Sequence, residues 1–182
     1  MITLKQFEES DYAAFIEWQK DATETDLFLF AGRTFTPPVT KEQLAAYKAE
    51  ANRKTLPVKL FTVIEKGTGE KIGHIQVSDI DAVNQSAFLN RVYIRKESRG
   101  KGYGKALIEA MKQYVFNDLG FHRLSLYVLS NNLAAKRMYE QVGFKEEGVM
   151  RDARLFQGDY LSLHLMSILS NEVSFTTTTE VE

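Results

Sequence analysis

The sequence predicts an α/β protein built on one mixed sheet with helices on both faces. Three observations carry this. Stretches of period two and of period 3.6 interleave along the chain in the order β-α-α-β-β-β-α-β-α-β-β. At 182 residues the length suits one domain. A content of 44% hydrophobic and 26% charged residues is that of a chain able to bury a full core. Cysteine is absent, which excludes a disulfide framework, a thiolate nucleophile and any cysteine-bound zinc site.

Residues 2–7 alternate apolar and polar and read as a strand. Ser10 and Asp11 then open an amphipathic helix with Tyr12, Phe15, Ile16 and Gln19 on one side. Leu27, Phe28, Leu29 and Phe30 form an apolar patch without periodicity, and the pattern leaves its state open. Pro37 and Pro38 break the chain, because neither suits a helix interior. Thr40 and Gln43 have capping-box spacing ahead of Leu44, Tyr47 and Ala51, which places a helix over 40–54. Residues 60–64 and 71–77 are extended runs joined by Lys66-Gly67-Thr68-Gly69-Glu70, a hairpin, and 88–94 is a third run. Over 103–119, Ala106, Leu107, Ala110, Met111, Tyr114 and Val115 form a helical stripe that stops at Gly120. A strand over 124–129 precedes a helix over 131–142 closed by Gly143, and strands over 144–150 and 160–168 finish the domain. The expectation is six or seven strands and about four helices within residues 1–169, followed by a polar, disordered tail over 170–182.

Net charge is −1, which argues against a nucleic-acid binder. The N-terminus lacks an export signal's basic-then-apolar layout, and no apolar run approaches the roughly 18 residues of a membrane span. A cytoplasmic protein without membrane contact is expected. Charge is unevenly placed: residues 8–26 hold seven acids against Lys20, and residues 91–105 hold six bases against Glu97. Such asymmetry suits an anionic ligand in one place and a cationic one in another, or a chance scatter on solvated faces.

The most informative segment is Arg99-Gly100-Lys101-Gly102-Tyr103-Gly104-Lys105, between a strand and a long helix. Alternate glycines let consecutive N–H groups converge as an anion nest, and the helix N-terminus directs its unpaired N–H groups at the same point. Arg99, Lys101 and Lys105 add charge, so the segment reads as a phosphate or pyrophosphate site. It is no Walker loop, because Ala106 follows Lys105, and its G-x-G-x-G spacing is no dinucleotide fingerprint.

The segment Arg99 to Gly104 resembles the R/Q-x-x-G-x-G/A motif of the GCN5-related N-acetyltransferases. Asn132-x-x-Ala135-x-x-x-Tyr139-x-x-x-Gly143-Phe144 is similar to a second pattern of that family, in order and about 30 residues on. The RimJ- and RimL-like ribosomal-protein N-acetyltransferases and the spermidine acetyltransferases form the branch it most resembles. Glu147-Gly148-x-x-Arg151 and Gly158-x-Tyr160 carry that likeness, with Ser162 where the branch often has an acid. The resemblance spans roughly residues 2–168. It implies a mostly antiparallel sheet and direct acetyl transfer from acetyl-CoA to a primary amine, such as a protein N-terminus, a polyamine or a small amine. The reaction would proceed in a ternary complex without a metal. A non-catalytic acyl-CoA sensor of the same fold is the rival reading.

The resemblance implies roles for Arg99, Gly100, Lys101, Gly102, Tyr103, Gly104 and Lys105 at the pyrophosphate, and for Asn132 against the cofactor. It implies that backbone groups of the strand at Val92 and Ile94 also contact the cofactor, Val92 being a nominal choice of oxyanion donor. Tyr139 is the implied general acid. A phenol with a pKa near 10 is protonated at pH 7 and can donate to a thiolate whose thiol has a pKa near 8.5. Residues 132, 135 and 139 share one helix face, where Tyr139 could equally be a core aromatic and Asn132 an N-cap. Related enzymes often carry a glutamate where Phe88, Leu89 and Asn90 stand, so the base is a gap. His74, Asp79, Asp81 and a water chain are the candidates, His74 for its pKa near 6.5, although a histidine in an apolar strand is often structural. His122 and His164 lack partners at metal-ligand spacing. A homodimer is an expectation from base rate alone.

Overall fold

In the computed structural model, residues 1–173 are described. Seven strands form one sheet: β1 (Ile2–Gln6), β2 (Lys59–Glu65), β3 (Lys71–Asp81), β4 (Ser86–Ile94), β5 (Arg123–Leu129), β6 (Lys145–Phe156) and β7 (Asp159–Leu169). Their order is β1-β2-β3-β4-β5-β7-β6. Every pairing is antiparallel except β4 with β5. The mixed, mostly antiparallel expectation holds.

Five helices pack on the sheet: α1 (Tyr12–Trp18), α2 (Glu24–Ala31), α3 (Lys41–Asn52), α4 (Tyr103–Gln113) and α5 (Leu133–Gln141). The extra helix, α2, contains the patch left open by the sequence pattern. Thr23 Oγ1 accepts from the Asp26 N–H while Asp26 accepts from the Thr23 N–H, so a capping box starts it. The stripe over 103–119 is α-helical only to Gln113, and a π-helical turn, Tyr114–Asp118, completes it. At the C-terminus Ser170–Glu172 form a 3-10 turn that Glu172 ties down through Lys145 and the Leu169 N–H. The expected tail thus begins with an ordered turn, and its residues 174–182 lie outside the described residues.

Two cores lie on opposite faces. On one, α4 and α5 set Leu107, Ile108, Met111 and Tyr139 against Ile72, Leu89, Leu124 and Leu126. On the other, α1–α3 gather Phe7, Phe15, Leu27, Phe35, Leu44 and Tyr47 with Leu60 of β2. Each such side chain, fully buried, contributes about 1.5–3 kcal/mol, so both faces of the sheet are pinned.

Two irregularities shape the site. The parallel ladder runs from Ser86 opposite Arg123 to Leu89 opposite Leu126 and stops there, so β4 and β5 part beyond it. Next to that opening β4 bulges: His74 faces Tyr93 while Gln76 faces Asn90, and Arg91 takes a φ of +49°. A bulge adds a residue to one strand and re-aims its side chains. The backbone crowds just beyond it, since a Cβ on Gly73 would stand 2.3 Å from the Tyr93 carbonyl oxygen.

Candidate active site

The glycine turn joins β4 to α4. Gly102 is the N-cap of α4 at φ +85°, and Gly100 has φ +74°, a region that side-chain-bearing residues rarely adopt. The first intrahelical bond runs from the Ala106 N–H to the Gly102 carbonyl. Among the described residues nothing accepts from the N–H groups of Gly100 through Lys105. Consecutive unbonded donors at a helix N-terminus suit an anion such as a pyrophosphate.

A groove leads away from the turn between α4, α5 and β4. Gly100, Gly102, Gly104, Arg99 and Lys105 line its mouth. Val92, Ile94, Ala134, Ala135 and Met138 line its length, and Tyr139 its end. An anion-binding mouth with an apolar floor fits the diphosphate and slender arm of coenzyme A. Of the residues assigned to the turn, Lys101 is exposed and does not line the groove, while the Tyr103 hydroxyl bonds Glu65 on β2. Tyr103, like Lys101, does not line the groove. The Arg99 Nε donates to the Ile94 carbonyl at 2.8 Å, and its guanidinium lies 5.3 Å over the Tyr93 ring. The six bases do not act together: Arg95 pairs with Glu70, and Arg91 points elsewhere.

A second groove opens where β4 and β5 part. Phe28–Gly32 segment residues of α2, Asn90, Arg91 and Val92 of β4, Tyr127 of β5, and Arg154 of β6 line it, together with Asn132, Ala135 and Tyr139. Val92, Ala135 and Tyr139 line both grooves, so the two meet there. Tyr139 is buried, and burial raises its hydroxyl pKa above the ordinary value, which keeps it protonated. None of the described residues hydrogen-bonds that hydroxyl. Asn132 accepts from the Ala135 N–H at 3.3 Å as the N-cap of α5 and also lines the groove, so both readings of that residue describe one position.

His74 requires a correction. It is fully buried, edge-on to Phe7 and Phe15, with Nε2 3.0 Å from the Tyr47 hydroxyl. Burial, with the nearby Arg91 charge, depresses its pKa to about 3. It lines none of the grooves, and its site is a packing site. Asp81 is occupied in capping the turn through Val83 and Asn84. Asp79 lines a hollow beside α3 that also holds Gln76, Asn90 and Arg91. At the place of the missing glutamate, Asn90 Oδ1 accepts from Gln76 and from Ser78. His122 and His164 pair with Ser170 and Glu146.

Sequence reading missed Arg91 as a separate element, counting it with the bases of the turn. The bulge that re-aims it leaves no mark in residue type. Its Nη1 donates to Gln76 at 3.0 Å and its Nη2 to Thr34 at 2.8 Å, and the guanidinium sits 5.2 Å over the Tyr47 ring.

A splayed strand pair thus lies beside a donor-rich turn at the start of α4, within one mixed sheet. Residues 1–145 match the acetyltransferase (GNAT) domain model. The chain belongs to that family. It is similar to the spermidine N(1)-acetyltransferase of Vibrio cholerae, 31% identical over 110 residues, 60% of this chain and 63% of that protein. It is also similar to the putative ribosomal N-acetyltransferase YdaF of Bacillus subtilis, 31% identical over 57% of this chain and 56% of that protein. The chain thus spans somewhat under two thirds of the length of these curated relatives. The crystal structure of a Vibrio cholerae spermidine N-acetyltransferase with CoA and spermine shares the fold at a TM-score of 0.79 and 23% identity, covering 94% of this chain and 96% of that one. Among the described residues no helix is long and apolar enough to cross a membrane.

Proposed function

We propose that the protein transfers an acetyl group from acetyl-CoA to a primary amine, directly and in a ternary complex. The carrying observation is the junction of the two grooves at Tyr139, one leading from the unpaired N–H groups of the glycine turn and the other open to an acceptor. Acetyl-CoA supplies the activated acyl group. Gly100 to Lys105 would hold its diphosphate through their N–H groups, with the helix terminus and Lys105 contributing charge. A main-chain N–H of β4 near Val92, on the strand freed from β5, would stabilise negative charge developing on the carbonyl oxygen. Tyr139 would then give its proton to the departing thiolate as the C–S bond breaks, and the proton shed by the attacking nitrogen would restore the phenol. With no cysteine in the chain, attack by the amine itself needs no covalent enzyme step.

The amine must arrive neutral. An α-amine with a pKa near 7.7–8.0 does so more readily than a lysine-type amine near 10.4, and no carboxylate stands at the usual strand position to assist. Calorimetry with acetyl-CoA and thiol release with a panel of amines test the proposal. Tyr139→Phe should lower kcat by roughly 10²-fold or more at unchanged acetyl-CoA affinity. Binding without thiol release from any amine would instead identify a sensor, and absence of binding would remove the reading altogether.

A further inference from the structure

The acceptor groove is lined by two arginines that have no ion-pair partner among the described residues. Arg91 lies on its floor at the β4 bulge, and Arg154 reaches it from β6. No Asp or Glu lines this groove, and among the described residues neither arginine has a carboxylate within ion-pair distance. Glu50 and Asp79 line the hollow beside α3, which meets this groove at Asn90 and Arg91, but Glu50 is paired with Lys54 and neither acid is within ion-pair distance of Arg91.

Arg91 is also incompletely satisfied. A guanidinium has five N–H donors. Bonds to Gln76 and Thr34 engage one donor of each terminal nitrogen, and the Nε–H is buried without an acceptor. Taking a donor and a positive charge out of water is costly unless an anion or acceptor meets them. The chain meanwhile holds this side chain firmly, with partners on β3 and between α2 and α3, the ring of Tyr47 on α3 beneath it, and a backbone φ of +49°. Strained, fixed and unpaired groups of this kind gather at binding sites.

We infer that the acceptor is a small amine that also bears a carboxylate, and that Arg91, with Arg154 at the entrance, binds that carboxylate while the amine is directed at the groove junction. This inference rests on the acetyl-transfer reading above and narrows its substrate. It separates this chain from a polyamine acetylase. A groove lined by two guanidinium groups without a carboxylate partner disfavours a polycation, and Asp26, in the adjoining hollow, stands beside Lys96 and Arg99. A planar fork of donors suits a carboxylate in particular.

The test measures kcat/KM by thiol release for ω-amino acids of increasing chain length, each against its own amide, with spermidine alongside. The acids should exceed their amides by roughly tenfold or more, and spermidine should be poorest. Arg91→Gln should bring the acid-to-amide ratio close to one, chiefly through KM, and Arg91→Lys should restore part of it. Calorimetry with acetyl-CoA verifies that the Arg91 variants remain folded. The exposed Arg154→Gln should reduce the same ratio without risk to folding. Amides or spermidine turned over as well as the acids, or a ratio indifferent to both arginines, would overturn the inference and leave acetyl transfer standing. Acetyl-CoA bound but no amine turned over would overturn acetyl transfer, and this inference with it.

Discussion

His74 shows how one residue couples packing to pH. It is enclosed by Phe7, Phe15 and Tyr47, and it feels Arg91, which disfavours its protonation, and Asp11, which favours it. With a folded pKa near 3 and an unfolded one near 6.5, the unfolded chain binds the extra proton between those values. Stability is therefore complete above about pH 6.5 and is lost as pH falls towards 3. At pH 5 the loss is about 2 kcal/mol, or roughly 4–8 °C in Tm for a chain this long. Thermal melts of wild type and His74→Leu from pH 8 to 5 should show the variant's Tm declining less steeply. Parallel curves would mean that the histidine stays solvated. Sequence indicated a histidine in an apolar strand, and either role was open. Burial decided it, since a group without access to a groove cannot take a proton from a substrate there.

At the scale of elements, the glycine turn and α5 were legible because their chemistry is local. Alternating glycines, a helix start and an N-cap asparagine are short-range signals, and Gly102 and Asn132 stand where their spacing put them. Replacing Gly102 by valine should strain the turn by about 1–3 kcal/mol, because a β-branched residue resists φ +85°. Acetyl-CoA should then bind about 5- to 150-fold more weakly by calorimetry, with the far-ultraviolet circular dichroism unchanged. An unaltered Kd would show that the turn does not grip the cofactor. Helix α2 was not legible from periodicity, since four consecutive apolar residues face both the core and the grooves. Its available signal was Thr23 with Asp26, three positions apart. The β4 bulge had no signal, because it arises from how β3, with Gly73 packed against the Tyr93 carbonyl, meets β4.

Over the whole molecule, the hairpin of β6 and β7 reaches across to the helices on the far side of the acceptor groove. Phe156 stacks on Phe28 of α2 with ring centroids 4.0 Å apart, and Arg33 donates to the Leu155 carbonyl at 2.5 Å. Most of β6 is otherwise exposed, so these contacts anchor the hairpin to the end of α2 beside the groove. Phe156→Ala should cost about 1–2 kcal/mol in stability and raise the acceptor KM several-fold, while the Kd for acetyl-CoA stays the same. Equal changes in both constants would show that the hairpin supports the whole sheet and not one wall. The same hairpin has a consequence for biosynthesis. Strand β7 follows β6 and is the last strand among the described residues, yet it sits between β5 and β6, where Leu124 to Leu129 pair with Leu163 to Ile168. A nascent polypeptide emerging from the ribosome can assemble the glycine turn early, but its sheet keeps an open seam until β7 has been translated. On the acetyl-transfer reading, the wall of the acceptor groove that β6 supplies would be fixed only once β7 has paired.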